Sequence, residues 1–105
     1  DPTAINAPQM LVMATRGSAE ALGLGDQIGA LKPGMRADII VVSLHGLHMQ
    51  PVHGVVSHIV YAARADDVRD VIIDGEPVMR DRTLLTLDEA EIVERANECA
   101  SRLVR

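Results

Sequence analysis

From Ile28 to Leu44 the chain reads I-G-A-L-K-P-G-M-R-A-D-I-I-V-V-S-L, and this stretch limits the possible folds most tightly. Lys32-Pro33-Gly34-Met35 predicts a turn, because Pro presets φ near −65° and Gly accepts the positive φ of the next position. The strand expected after it, Asp38 to Leu44, carries Ile39, Ile40, Val41 and Val42 without alternation, the pattern of a strand covered on both faces. Two covered faces need partners on two sides. The chain has 105 residues, enough for at most one domain. Hydrophobic residues make up 48% of it, yet Tyr61 is the only aromatic. Its core must therefore be built from Ala, Val, Leu, Ile and Met, without the large buried area that Phe or Trp supplies.

Around that stretch the local signals predict a mixed α+β chain. Pro8 suits the first position of a helix, where its missing N–H costs nothing. Met10, Leu11, Met13 and Ala14 continue the pattern, Thr15 and Gly17 interrupt it, and Ser18 to Leu22 resume it before Gly23, a left-handed stop. One broken helix or two short ones are expected over 8–22. His45 to Gly54 reads as a loop. Val55, Val56, Ile59, Val60 and Ala63 fall at helical spacing, and a helix is preferred there over a strand. Asp74-Gly75 between V-I-I and E-P-V-M predicts a two-residue hairpin turn, pairing Ile73 with Glu76, Ile72 with Pro77 and Val71 with Val78. Pro77 lacks a ladder donor, which places its arm at an edge or turns the position outward. Thr86 and Glu89 form a capping-box pattern opening a last helix. Ile92, Val93, Ala96, Cys99, Ala100 and Leu103 make its apolar face, with Glu91–Arg95 and Glu98–Arg102 as i,i+4 pairs.

Charge and composition exclude several function classes. The formal charge is −5, and the 10 basic side chains are scattered singly, so no cationic stripe for nucleic acid exists. No apolar run approaches the length of a membrane span, and no export signal is read, so a cytoplasmic location is expected. Cys99, the only cysteine, is expected to be buried or half-buried in the last helix.

His45, His48, His53 and His58 lie within fourteen residues and raise the question of a metal. Zinc needs three or four converging ligands, usually as close pairs on defined elements. No cysteine or carboxylate lies among these histidines, so two readings stand: histidines that cap, hydrogen-bond or line a surface, or a structural metal site. Ser18, Ser43, Ser57 and Ser101 lack a G-x-S-x-G elbow, and Cys99 has no nearby base in sequence. Gly23, Gly25 and Gly29 make no phosphate loop. Asp66-Asp67 reads as a turn and Asp88-Glu89 as a helix start. No catalytic, cofactor-binding or metal-ligating residue is assigned.

A-T-R-G-S-A-E-A-L-G-L from Ala14 to Leu24, followed by I-G-A-L-K-P-G-M-R-A-D-I-I-V-V, resembles the C-terminal region of metal-dependent amidohydrolases. H-M-Q-P-V-H-G-V-V-S-H-I-V-Y-A-A, from His48, and V-R-D-V-I-I-D-G-E-P-V-M-R-D, from Val68, resemble the branch that holds chlorohydrolases and methylthioadenosine or S-adenosylhomocysteine deaminases. The resemblance implies that residues 1–27 end with the final helix of a (β/α)₈ barrel. It further implies that residues 28–105 form the C-terminal half of an accessory β-sandwich with a β-hairpin, plus a terminal amphipathic helix. A parent enzyme would use zinc or iron to activate water and hydrolyse a C–N bond, most simply by deaminating a purine-like or other nitrogen heterocycle. The family's H-x-H pair is absent here, so the chain alone is expected to be an inactive scaffold fragment. Its implied partners are the missing barrel and sandwich strands, with self-association as a further expectation. A free-standing oligomerisation or binding module is the alternative.

Overall fold

The computed structural model describes residues 5–104. Helix α1 (Ala7–Val12) runs without a break through a π-helical turn, Met13–Gly17, into α2 (Ser18–Ala21). The expected interruption at Thr15 and Gly17 is thus a widened turn, not a gap. Gly17 keeps helical torsions, and Thr15 and Ser18 spend their hydroxyls on the carbonyls of Leu11 and Met13. Asn6 opens α1 with a capping box shared with Gln9, which makes Ala7 the first helical residue and Pro8 the second, one later than predicted. Gly23 ends the helix at φ 75°, as expected. The chain then doubles back so closely that a Cβ on Gly29 would stand 2.8 Å from the Ala19 Cβ and 3.0 Å from the Thr15 carbonyl oxygen. Only glycine fits there.

The predicted Lys32–Met35 turn forms, with Gly34 at φ 89° and the Met35 N–H donating to the Lys32 carbonyl. Strand β1 (Ile39–Val42) follows and pairs antiparallel with β2 (Val68–Ile73). Strands β3 (Glu76–Arg80) and β4 (Thr83–Leu84) complete a four-stranded sheet in the order β1-β2-β3-β4. β1 is therefore an edge strand. Ile40 is 57% exposed, so the both-faces burial expected of this strand is not supplied by the chain's own described residues.

The Asp74-Gly75 hairpin is present, both residues at positive φ. It is anchored to the start of β1, where the Asp74 N–H donates to the Asp38 carboxylate and the Gly75 N–H to the Ala37 carbonyl. Ile73 opposes Glu76 and Ile72 opposes Pro77, but a register shift sets Val71 against Met79 instead of Val78. One residue of β3 bulges, which buries Met79. β4 covers β3 only at Met79 and Arg80, so Pro77 lies where the outer side carries no strand among the described residues. The β3–β4 turn holds two non-glycine residues, Asp81 and Arg82, at positive φ. Its support comes from Asp70, whose carboxylate accepts from the Asp81 N–H at 2.8 Å, and from Arg82, which donates to the Val68 carbonyl.

Between β1 and β2 the chain makes a 3-10 turn, Leu47–Met49, then α3 (Val55–Tyr61), the helix preferred over a strand, and a second 3-10 turn, Ala65–Asp67. α3 packs on α1. The core is thin: Ala7, Ala19, Met49 and Met79 are the buried hydrophobic residues among those described. The last helix, α4 (Glu89–Leu103), is capped by Asp88, which accepts from the Glu91 N–H, and not by Thr86. The Glu91–Arg95 pair closes at 2.8 Å. No described residue of α4 is buried, and Cys99 is exposed instead of half-buried. Among the described residues no helix is long and apolar enough to cross a membrane.

Candidate functional site

The densest polar cluster is the loop and helix start from Gly46 to His58 together with the turn at Arg64–Asp67. Two 3-10 turns bring His48 and Asp67, nineteen residues apart, within 2.6 Å, Nε2 to Oδ2. The same carboxylate accepts the Arg64 N–H at 2.7 Å, and the Asp67 carbonyl accepts the Ser43 N–H just beyond β1. The Arg64 N–H, and then the His48 side chain, hold the Asp67 carboxyl below the usual carboxylate range. Gly46 makes the approach possible, since a Cβ there would sit 2.5 Å from His48 Cε1.

His58 is buried in α3 with Nδ1 2.7 Å from the Gly54 carbonyl and Nε2 2.9 Å from the Pro51 carbonyl. His53 stands edge-on to it at 4.9 Å, its Nδ1 also directed at the Pro51 carbonyl. Of the two readings of the histidines, this geometry is that of the first. Nε2 of His48 is directed at a carboxylate and both ring nitrogens of His58 at backbone carbonyls. Among the described residues no group of three His, Cys, Asp or Glu side chains could hold a metal ion. His45 does not join the cluster; its backbone N–H reaches Ser43 Oγ. Ser18 and Ser101 donate to backbone carbonyls, so neither is poised as a nucleophile.

The cluster locks loops instead. It ties the end of β1, the 46–58 segment with its fully buried Met49, and the start of β2 into one knot. Sequence spacing did not reveal Asp67 as the partner of His48, because the contact depends on two turns whose closure is tertiary. The adjacent acids Asp66 and Asp67 read only as a turn, and they are one.

The model of the amidohydrolase family matches residues 1–78. The chain belongs to the amidohydrolase family. Over 104 residues it is 46% identical to the 5-methylthioadenosine/S-adenosylhomocysteine deaminase of Syntrophomonas wolfei, a match that covers 99% of this chain and 24% of that protein. Among solved structures, it is similar to an adenosine deaminase from Xanthomonas campestris with bound zinc. There the TM-score is 0.94 and the identity 42%, over 97% of this chain and 23% of the other. The zinc-bound atrazine chlorohydrolase of Arthrobacter aurescens matches at a TM-score of 0.81 and 31% identity, over 90% and 20%. This amidohydrolase chain therefore spans about a quarter of the length of the relatives it matches. Within that span it is a small α+β piece with a four-stranded antiparallel sheet. The histidine knot of this amidohydrolase chain does not fit a zinc ion such as its neighbours bind, because no three of its His and Asp side chains converge.

Proposed function

We infer that the chain is the C-terminal scaffold portion of a metal-dependent aminohydrolase that deaminates an adenine-type nucleoside or a related nitrogen heterocycle. The observation that carries this reading is the match to the zinc-bound deaminase, 42% identical at a TM-score of 0.94 over nearly the whole chain. Residues 1–27 then correspond to the end of a (β/α)₈ barrel, and residues 28–105 to the later part of a β-sandwich with a terminal helix. Zinc or iron, the water it activates and the nucleoside are assigned to residues outside these 105, because among the described residues no three His, Cys, Asp or Glu side chains converge to hold a metal ion. The chain contributes shape: its β1 edge, with Ile40 exposed, and the junction of α1 with the π-helical turn, with Val12 and Met13 exposed, are surfaces for the remainder of the polypeptide.

Surface area supports the same reading. The chain exposes 8182 Å² at a mass of 11.3 kDa, whereas a compact monomer of that mass exposes about 5,700 Å². The excess, about 2,500 Å², is of the order that permanent complexes cover.

Ammonia release is the test. The 105-residue chain, supplied with zinc or iron and with adenosine or methylthioadenosine, is expected to give none above the metal blank. A polypeptide extended to the length of the relatives is expected to give it. Turnover by the 105 residues alone overturns the scaffold reading. An inactive extended polypeptide, with a defined oligomer of the short chain, favours the free-standing module instead.

A further inference from the structure

We propose that α4 is a self-association helix, and that it pairs antiparallel with α4 of a second copy of this chain. The inference goes beyond the scaffold reading and stands on this helix alone. Ile92, Ala96, Cys99 and Leu103 follow one another at intervals of four, three and four residues, which is the seam of a two-helix coiled coil. All four are exposed, so nothing described in this chain occupies that seam. A lone amphipathic helix of this length gains little from its own backbone and needs a partner for its apolar stripe.

Charge selects the partner and its direction. The N-terminal half of the helix region, residues 88–95, carries Asp88, Glu89, Glu91 and Glu94 against Arg95 alone, while in the C-terminal half, residues 96–103, Arg102 balances Glu98. A parallel pair sets the acidic halves side by side. An antiparallel pair sets each against the partner's more basic half, and also places each helix N-terminus beside the other's C-terminus, so that their dipoles oppose. In that alignment Ile92 faces Leu103 of the second copy, and Ala96 faces Cys99. Large residues meet at the two ends and small ones at the crossing, where they let the axes approach to the near end of about 8–10 Å. The two Cys99 positions then lie about 4.5 Å apart along the axis.

The experiment uses the full 105-residue chain. Sedimentation equilibrium is expected to show a dimer forming at about 100 μM, the weak end of specific association, and A96E, which puts a charge into an exposed seam position, is expected to abolish it. Orientation is read in a C99S background. Chains carrying A100C are mixed with chains carrying V93C or R95C, all three positions flanking the seam, and treated with a short bismaleimide; an antiparallel pair sets A100C beside V93C, and that mixed dimer is the expected main product. Circular dichroism checks that each variant keeps its helix. A monomer at that concentration overturns the proposal, as does a dimer unaffected by A96E or a cross-linked product dominated by A100C with R95C. The last outcome means a parallel pair; a dimer indifferent to A96E means association through another face.

Discussion

Asp67 shows how one side chain can fix a region where no regular element does. Its carboxylate joins the 46–49 turn through His48 and the 64–67 turn through the Arg64 N–H, and its own carbonyl holds the chain leaving β1. Gly46 and His48 act as one unit here. Adding a methyl group at Gly46 drives the imidazole off the carboxylate. G46A is therefore expected to lower the thermal midpoint on the order of 5 °C, H48A by a similar amount, and the double variant by little more than either. Additive losses in that cycle would mean that the two residues act separately. Acid titration probes the other partner. The folded Asp67 carboxyl titrates below its ordinary 3.8, so the unfolded chain binds protons first as pH falls. Its contribution to stability is complete above that value and is lost as pH drops through the lower, folded one. D67N is expected to flatten the dependence of the melting temperature on pH in the acid range. Part of the slope should survive, because the Asp81 N–H and then Arg69 depress Asp70 in the same direction.

At the scale of elements, α4 offers a choice between two overlapping caps. Thr86-x-x-Glu89 and Asp88-x-x-Glu91 both fit the capping pattern. The outcome follows from what precedes the helix: Thr83 and Leu84 are drawn into β4, and the Leu85 N–H donates to the Val78 carbonyl. The chain leaves the sheet only after Leu85, and the helix starts at Glu89 with Asp88 as its cap. D88A is expected to cost about 1 kcal/mol of helix stability, seen as faster amide exchange in the first turn of α4, while T86A leaves that exchange unchanged. The hairpin was legible down to two of its three pairs, since Asp-Gly between apolar runs admits one turn geometry. Its bulge was not, because only the burial of Met79 shows that Val78 must be skipped. The first helix was legible in extent but not in its π turn. There Gly17 and Thr15, read locally as breaks, stay helical, and the hydroxyls of Thr15 and Ser18 bond back to carbonyls of the preceding turn. The His48–Asp67 tether left no trace in spacing, as expected for a bond made by tertiary closure.

The whole molecule is open in a way that its edge strand foretold. Ile39 to Val42 asked for cover on both faces, and the described chain supplies part of it. The radius of gyration is 17.4 Å, against about 13 Å for a compact domain of this length. That shape fixes what unfolding can expose. An unfolded chain of 11.3 kDa presents about 16,000 Å², so the folded chain, at 8182 Å², hides about half of it, where a compact domain of this size hides roughly 65%. Denaturant sensitivity scales with the surface uncovered. The urea m-value of the 105-residue chain, measured at concentrations low enough to keep it monomeric, is therefore expected at about three-quarters of that of a compact domain of equal length. An m-value equal to the compact domain's would mean that the chain closes over Ile40 and the α4 face by itself. Small-angle scattering decides the same point independently: a radius near the 17.4 Å of the open form upholds the prediction, and one near 13 Å shows that the exposed faces find their cover within the chain.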